Sequence, residues 1–317
     1  MERLEKPLSV SKILDVSFKI IRYNFLKILF IPLILLGPLY VLQALIMLMS
    51  GAPFIHDPST SLWFWNQLPV PGDALDFPNY SPPQLIAFVL LSLLSLVALP
   101  VAYAALMIAT AQIRRSEDFT AFVTIRQAFS RYLALLGGSA VYFLISLLLF
   151  LALSLPLGIF LAVSTFVGTL AIVVCIVLGI VGLVAITYFL TRWSFFFPAL
   201  VFEKVAPGIG KSWQLTHRSV WRIIGFYLII SIISLLIFGV FQTAAILLLG
   251  NSILATLIVD CSSLITTVIL VVAVTIFYFD LRVRNDAADV KELLAGFTPS
   301  ADSSAPVQQD VDAYDPS

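Results

Sequence analysis

The residues whose types and spacing could support chemistry form a polar run inside an apolar segment. Asp260 stands in the sequence VDCSS, about two helical turns into the apolar run 253–279. An acid at membrane depth costs roughly 2.5–3.5 kcal/mol on insertion scales, so such a residue is a functional candidate by default. Ser263 and Thr267 follow Asp260 at helical spacing. We therefore predict an intramembrane polar site formed by Asp260, Gln242, Ser263 and Thr267.

Gln242 belongs to this site because of a tight turn near Gly250 and Asn251. It lies as far before Asn251 as Asp260 lies after it, so the two side chains are expected to meet across a helical hairpin. The pair admits three interpretations: an interhelical hydrogen bond worth about 0.6–2 kcal/mol, an acid that reaches water near the outer surface, or a group that couples to a proton or a substrate.

The stretch GIGKSW, 208–213, is similar to the end of a nucleotide-binding loop. That loop also requires a glycine at the position that Val205 occupies, and a preceding strand. Here an apolar membrane segment precedes it, and Pro207 fits the first turn of a helix. We predict that Lys211 lies on the polar face of a helix and that no nucleotide binds.

Histidine and cysteine usage argues against a metal site and a disulfide. His56 lies in a predicted outer loop and His217 on the other side of the membrane, so they cannot share a zinc ion. Cys175 and Cys261 lie inside apolar runs and are expected to be small buried side chains. The sequence predicts no catalytic residue, no metal, no cofactor and no nucleic-acid partner.

A second candidate site is a basic surface for anionic lipid headgroups, where each charge contributes about 1 kcal/mol. Its predicted members are Lys211, Arg218, Arg222, Arg282 and Arg284. The alternative for the last two is a stop-transfer anchor, in which Asp280 pairs with Arg284 one helical turn later.

The elements that must position these residues are membrane spans. The chain has 317 residues, of which 60% are hydrophobic and 11% charged, against about 25% charged in soluble domains. A span needs about 20 mostly apolar residues. Such runs occupy 25–48, 85–111, 133–155, 166–191, 223–249 and 253–279. We expect Pro156 to stop the third span and a loop, 156–164, to follow it.

The basic residues predict the orientation of these spans. Of the 18 lysines and arginines, 17 fall before the first span, after the last, or in the segments after the second and fourth, and Lys27 lies at the very start of the first span. The long segment 49–84 has none. Because basic loops stay in the cytoplasm, we expect a multi-pass protein of the plasma membrane with both termini cytoplasmic.

Three basic segments, 11–25, 119–133 and 209–224, alternate polar and apolar residues at helical spacing. This pattern is typical of a helix in the membrane interface. The first and third align without gaps from Ile13 and Gly208. We predict an all-α fold of six transmembrane helices, built from three repeats of an interfacial helix followed by a helical hairpin.

Three motifs carry a family resemblance: 197–225, which includes FPALVFEKVAPGIGKSW, 9–25, which reads SVSKILDVSFKIIRYNF, and 277–286, which reads FYFDLRVRND. Taken in chain order, they resemble the bacterial glycerophosphoryl diester phosphodiesterase membrane-domain family, over about residues 8–295. The resemblance implies a six-span membrane protein linked to lipid or envelope processes. In the members that give the family its name, a phosphodiesterase domain is fused to the membrane domain. The segment after Gly296 is too short for that domain, so we expect no enzyme activity.

The expected organisation is a membrane domain, 1–296, and a disordered cytoplasmic tail, 297–317. The expected function is that of a non-enzymatic transport or accessory component that handles lipid-like or envelope molecules. Its expected partners are membrane lipids and other membrane proteins. The alternative is a structural subunit of a membrane complex without a substrate of its own, which the scarcity of polar residues in the spans favours.

Overall fold

The computed structural model describes residues 8–55, 82–167, 169–203, 208–217, 219–250 and 252–297, and every regular element in these ranges is an α-helix. The helices are α1 Val10–Met49, α2 Pro82–Arg114, α3 Ala121–Phe129, α4 Tyr132–Val167, α5 Thr169–Trp193, α6 Phe196–Glu203, α7 Ile209–Thr216, α8 Val220–Leu249 and α9 Ile253–Phe297. Most of the predicted outer loop, 49–84, and all of the predicted tail, 297–317, except residue 297, lie outside the described residues.

Six segments of these helices are long and apolar enough to cross a membrane. They lie in α1, α2, α4, α8 and α9, and in α5 together with α6. A helix such as α8, with 30 residues, is about 45 Å long, which exceeds the ~30 Å hydrocarbon core of a bilayer. The predicted six-span, all-α fold is confirmed.

Helix α1 contains a break that separates its amphipathic start from its apolar span. At Asn24 the backbone leaves helical geometry, with φ −125° and ψ 21°. Ser219, which directly precedes α8, has φ −139° and ψ 21°. The alignment that pairs Ile13 with Gly208 also pairs Asn24 with Ser219. The two breaks fit the predicted repeat, which itself stays a prediction.

Two predicted boundaries are wrong. Pro156 lies inside α4, which continues to Val167, so the predicted loop 156–164 is helical. Proline is tolerated there because its ring removes only one backbone hydrogen bond, and a membrane helix can satisfy the freed carbonyl locally. The predicted helix 209–224 is divided, since α7 ends at Thr216 and α8 begins at Val220.

The tightest packing surrounds α9 near the end of the bundle where Leu8, Arg114, Arg192 and Arg284 lie, which we call the basic end. There Phe277 of α9 is fully buried and contacts Phe226 of α8, with 4.4 Å between ring centroids. By contrast, none of the apolar window of α4 is buried. The spans therefore share a core near the basic end, whereas α4 presents its apolar side chains to the bilayer.

Candidate functional site

The predicted polar face of α9 makes real contacts, but with tyrosines of other helices. The Ser263 hydroxyl lies 3.2 Å from the hydroxyl of Tyr40 in α1 and donates to the backbone carbonyl of Asp260 at 2.7 Å. The Thr267 side chain lies near the hydroxyl of Tyr103 in α2. Sequence reasoning missed both tyrosines. The available signal was that a buried phenol within an apolar span needs a hydrogen-bond partner.

Asp260 is half-buried in this contact. Its Oδ2 atom is shielded from solvent and forms no hydrogen bond within the described part of the chain. A shielded carboxylate without a partner is costly in an apolar environment. Asp260 therefore contributes no side-chain bond between these helices, unlike Ser263.

The predicted pair of Gln242 and Asp260 does not form. Gln242 is exposed on α8, and no hydrogen bond joins it to the acid. The physical reason is the orientation of α9, which turns the polar face with Ser263 toward Tyr40 of α1. Helix α8 packs against α9 through Phe226 instead. Counting residues from the turn was insufficient, because it ignores the rotation of each helix about its axis.

The strongest electrostatic feature is an ion-pair cluster at the basic end, formed by Asp280, Arg222, Arg284 and the backbone of Leu8. The side chain of Asp280 is 1% exposed, and its Oδ2 atom lies 2.8 Å from Arg222 Nη2 and 2.9 Å from Arg284 Nε. Its Oδ1 atom accepts a 2.7 Å hydrogen bond from the Leu8 amide. The Leu8 carbonyl accepts bonds of 2.6 and 2.7 Å from the two arginines.

This ion-pair cluster changes the interpretation of the predicted headgroup residues. The pairing of Asp280 with Arg284 is confirmed, and Arg222 joins it from α8. Two of the five predicted residues are thus bound to an internal acid, which takes them out of an open basic surface. Arg218 lies outside the described residues.

The remaining two predicted residues, Lys211 and Arg282, line a groove of about 790 Å³ between α6, α7 and α9. The same groove contains Glu203, Asp286 and His217. Lys211 forms a 3.6 Å ion pair with Glu203, which also accepts a 2.7 Å hydrogen bond from Tyr278. Because both acidic and basic side chains line this groove, it is not a purely basic headgroup site.

Helix α7, which begins with the GIGKSW stretch, is fixed to the end of α5. Gly208 starts it with a left-handed φ of 74°. The Ser212 hydroxyl donates to the Arg192 carbonyl at 2.7 Å and accepts from the Phe195 amide at 3.2 Å. The Arg192 guanidinium lies 3.6 Å from the ring centroid of Trp213, a cation–π contact. This segment is therefore a structural joint at the basic end.

The cavity best suited to a ligand lies between α2, α4, α6, α8 and α9 and has a volume of about 430 Å³. Its walls are mostly apolar. Five of the lining residues carry a hydroxyl group, Tyr103, Ser139, Tyr142, Ser194 and Tyr227, although the Ser194 hydroxyl already donates to the Thr191 carbonyl. Pockets for small molecules typically combine apolar walls with a few polar groups in this volume range. We call this space the apolar cavity.

Helix α6 forms the inner wall of the apolar cavity. Phe196 stacks on Tyr142 of α4, with 4.6 Å between ring centroids, and Phe197 meets Tyr103 of α2 edge-on at 6.3 Å. The approach of α4 to α6 is close, since a Cβ atom added at Gly138 would collide with Leu200. Sequence reasoning missed this cavity because its walls come from five helices, and each wall residue resembles an ordinary membrane side chain.

Comparison with known proteins identifies one family. Residues 73–283 match the family described as the membrane domain of glycerophosphoryl diester phosphodiesterase. The match covers more than half of the 317 residues and includes every residue that lines the apolar cavity. No curated protein and no solved structure shows a match to the chain.

Proposed function

Because the chain belongs to the family of membrane domains of glycerophosphoryl diester phosphodiesterase, we propose that it is a non-enzymatic membrane component that binds a lipid-like molecule. The apolar part of that molecule occupies the apolar cavity. The observation that carries the proposal is a space of about 430 Å³ with mostly apolar walls inside the spans. Its volume suits part of an acyl chain, and its hydroxyls suit the ester region of a lipid.

The position of the apolar cavity supports a ligand that enters from the bilayer. One of its walls is α4, the span with no buried residues in its apolar window. Ser139 and Tyr142 lie on the cavity side of α4, whereas Ala140 is exposed on its outer side. A lipid can therefore reach the cavity past α4 without crossing the core around α9.

A matched pair of variants tests the proposal. Ser139→Phe fills the apolar cavity, and Ala140→Phe adds the same ring to the exposed side of α4. We expect Ser139→Phe to lower the amount of lipid that stays bound to the purified protein by about tenfold, a loss of about 1.4 kcal/mol in binding free energy, because the added ring occupies the space of the ligand. Native mass spectrometry measures the bound lipid. We expect Ala140→Phe to behave as wild type.

Equal lipid retention by the two variants, with both folded, would remove the apolar cavity as a binding site. That result would favour the alternative of a structural subunit without its own substrate. The exposed apolar face of α4 would then be available for another membrane protein.

The proposal also includes an orientation, with the basic end in the cytoplasm and the chain in the plasma membrane. It rests on the positive-inside rule. Single cysteines report this orientation when they are placed at the exposed positions Ser130 and Ser50. The native Cys175 and Cys261 are changed to Ala in the same chain. We expect a membrane-impermeant thiol reagent added to intact cells to label position 50 and spare position 130; the reverse labelling would contradict the orientation.

A further inference from the structure

A second cavity, of about 440 Å³, follows the apolar cavity toward the basic end. On α2, Met107 lines the apolar cavity and Ala111 lines the second. On α4 the corresponding residues are Ser139 and Leu135. Each pair is four residues apart, which places its members one helical turn, about 5–6 Å, from each other on one face.

Helix α6 repeats this relation, since Phe197 lines the apolar cavity and Val201 the second. In all three helices the step leads toward the basic end. The two cavities therefore succeed each other along one seam between α2, α4 and α6. A ligand that extends along this seam meets apolar walls first and polar walls second.

The second cavity carries a net positive charge. Arg115, Arg131 and Glu117 are the charged residues that line it, which gives two positive charges and one negative. Within the described part of the chain, neither arginine forms an ion pair or a side-chain hydrogen bond. A further cation, Arg114, lies nearby, with its guanidinium 4.2 Å from the ring centroid of Phe279. The surroundings therefore favour an anion.

Gln112 indicates a second property of the ligand that the second cavity would bind. It lines the same cavity, and its Oε1 atom is shielded from solvent without a hydrogen bond to any described residue. A shielded acceptor oxygen favours a ligand that brings a donor, such as a hydroxyl group. Two free arginines beside such an acceptor suit a phosphate that carries neighbouring hydroxyls.

We infer that the second cavity binds the phosphate-bearing headgroup of the same lipid-like molecule whose apolar part occupies the apolar cavity. The inference rests on the proposed function and adds the substrate class, an anionic phospholipid with hydroxyls on its headgroup. The arginines bind the phosphate from two sides of the cavity, Arg115 after α2 and Arg131 before α4. Gln112 accepts a hydrogen bond from a headgroup hydroxyl.

The test uses the full chain with phosphatidylglycerol and phosphatidylcholine of identical acyl chains, supplied in equal amounts, and native mass spectrometry of the bound lipid. We expect wild type to prefer phosphatidylglycerol. The double variant Arg115→Gln/Arg131→Gln should lower that preference about tenfold or more, because two charges are lost beside an anionic group. Arg126→Gln, which removes an exposed charge from α3 outside the second cavity, should keep it.

A second comparison concerns the headgroup hydroxyls. Phosphatidic acid has the phosphate of phosphatidylglycerol without the second glycerol. We expect Gln112→Leu to lower the preference for phosphatidylglycerol over phosphatidic acid and to leave total lipid unchanged. An unchanged preference would remove Gln112 from the site.

The outcomes separate the possible failures. If the double variant and Arg126→Gln keep the same preference while Ser139→Phe still loses lipid, the headgroup inference is wrong and the proposed function stands. If Ser139→Phe and wild type retain equal amounts of every lipid, the proposed function itself is wrong. If soluble glycerol phosphate displaces phosphatidylglycerol at equal concentration, the cavity is a site for free phosphate esters, which overturns the lipid assignment.

Discussion

At the scale of single residues, Asp260 and Asp280 of α9 have different surroundings. Asp280 receives two arginines and a backbone amide, whereas the Oδ2 atom of Asp260 receives no hydrogen bond from the described residues. The sequence predicted the partner Arg284 because a spacing of four residues fixes proximity within one helix. It did not reveal Arg222 or Leu8, since those contacts depend on how α1, α8 and α9 pack.

The first residue-scale prediction concerns Asp280→Asn. Removing the charge leaves Arg222 and Arg284 near a neutral group in a site where the carboxylate was 1% exposed. The side chains of Arg222 and Arg284 are 21% and 34% exposed, so water solvates part of their charge, and the loss stays below the roughly 3–5 kcal/mol of a fully buried pair. We expect this loss in the free energy of unfolding, measured by denaturation in mixed detergent micelles. Asp286→Asn, at an exposed position of the same helix, is the control and should lie within about 0.5 kcal/mol of wild type.

If Asp280→Asn and Asp286→Asn unfold at the same denaturant concentration, the ion-pair cluster contributes nothing to stability. The role of Asp260 in coupling stays a prediction. Among the described residues, no hydrogen bond to its Oδ2 atom exists for a substitution to break.

At the scale of elements, local rules predicted the spans and failed where helices join. Apolar runs of the right length follow from the sequence alone, so all six spans were predicted, although the fourth, Ile176–Glu203, begins and ends about ten residues later than the predicted run 166–191. Pro156 was expected to end a helix, yet it lies inside α4. The end of α7 at Thr216 was missed because it depends on hydrogen bonds between residues that are distant in the sequence. The hydroxyls of Ser212 and Thr216 both donate to the carbonyl of Arg192.

The element-scale prediction therefore concerns this joint. Ser212→Ala removes the hydroxyl that donates to the Arg192 carbonyl and accepts from the Phe195 amide. A buried amide left without a partner costs about 1–3 kcal/mol. We expect faster amide hydrogen exchange in α7 and at Phe195, with little change in α1. Ser219→Ala is the matched control, because the Ser219 side chain forms no capping hydrogen bond; identical exchange in the two variants would show that Ser212 does not fix α7.

At the scale of the whole molecule, the protein combines a tight core at the basic end with spans that remain open to the bilayer. The fully buried aromatic residues, such as Phe226 and Phe277, lie on α9 or pack against it, whereas α4 is exposed along its apolar window. Six spans and their apolar faces could be predicted from composition. The two successive cavities could not, because they arise from the angles at which α2, α4 and α6 meet, and no single segment encodes those angles.

The central claim is that a lipid-like molecule lies inside the spans with its chain between α2, α4 and α6. A phosphatidylglycerol with a photoreactive group in the acyl chain, crosslinked in bilayers and mapped by peptide mass spectrometry, tests it most directly. We predict that the label concentrates on peptides containing Tyr103, Ser139 and Phe197, and that Ser139→Phe abolishes this concentration. Uniform labelling of the exposed apolar faces of α4 and α5, unchanged by Ser139→Phe, would contradict the claim.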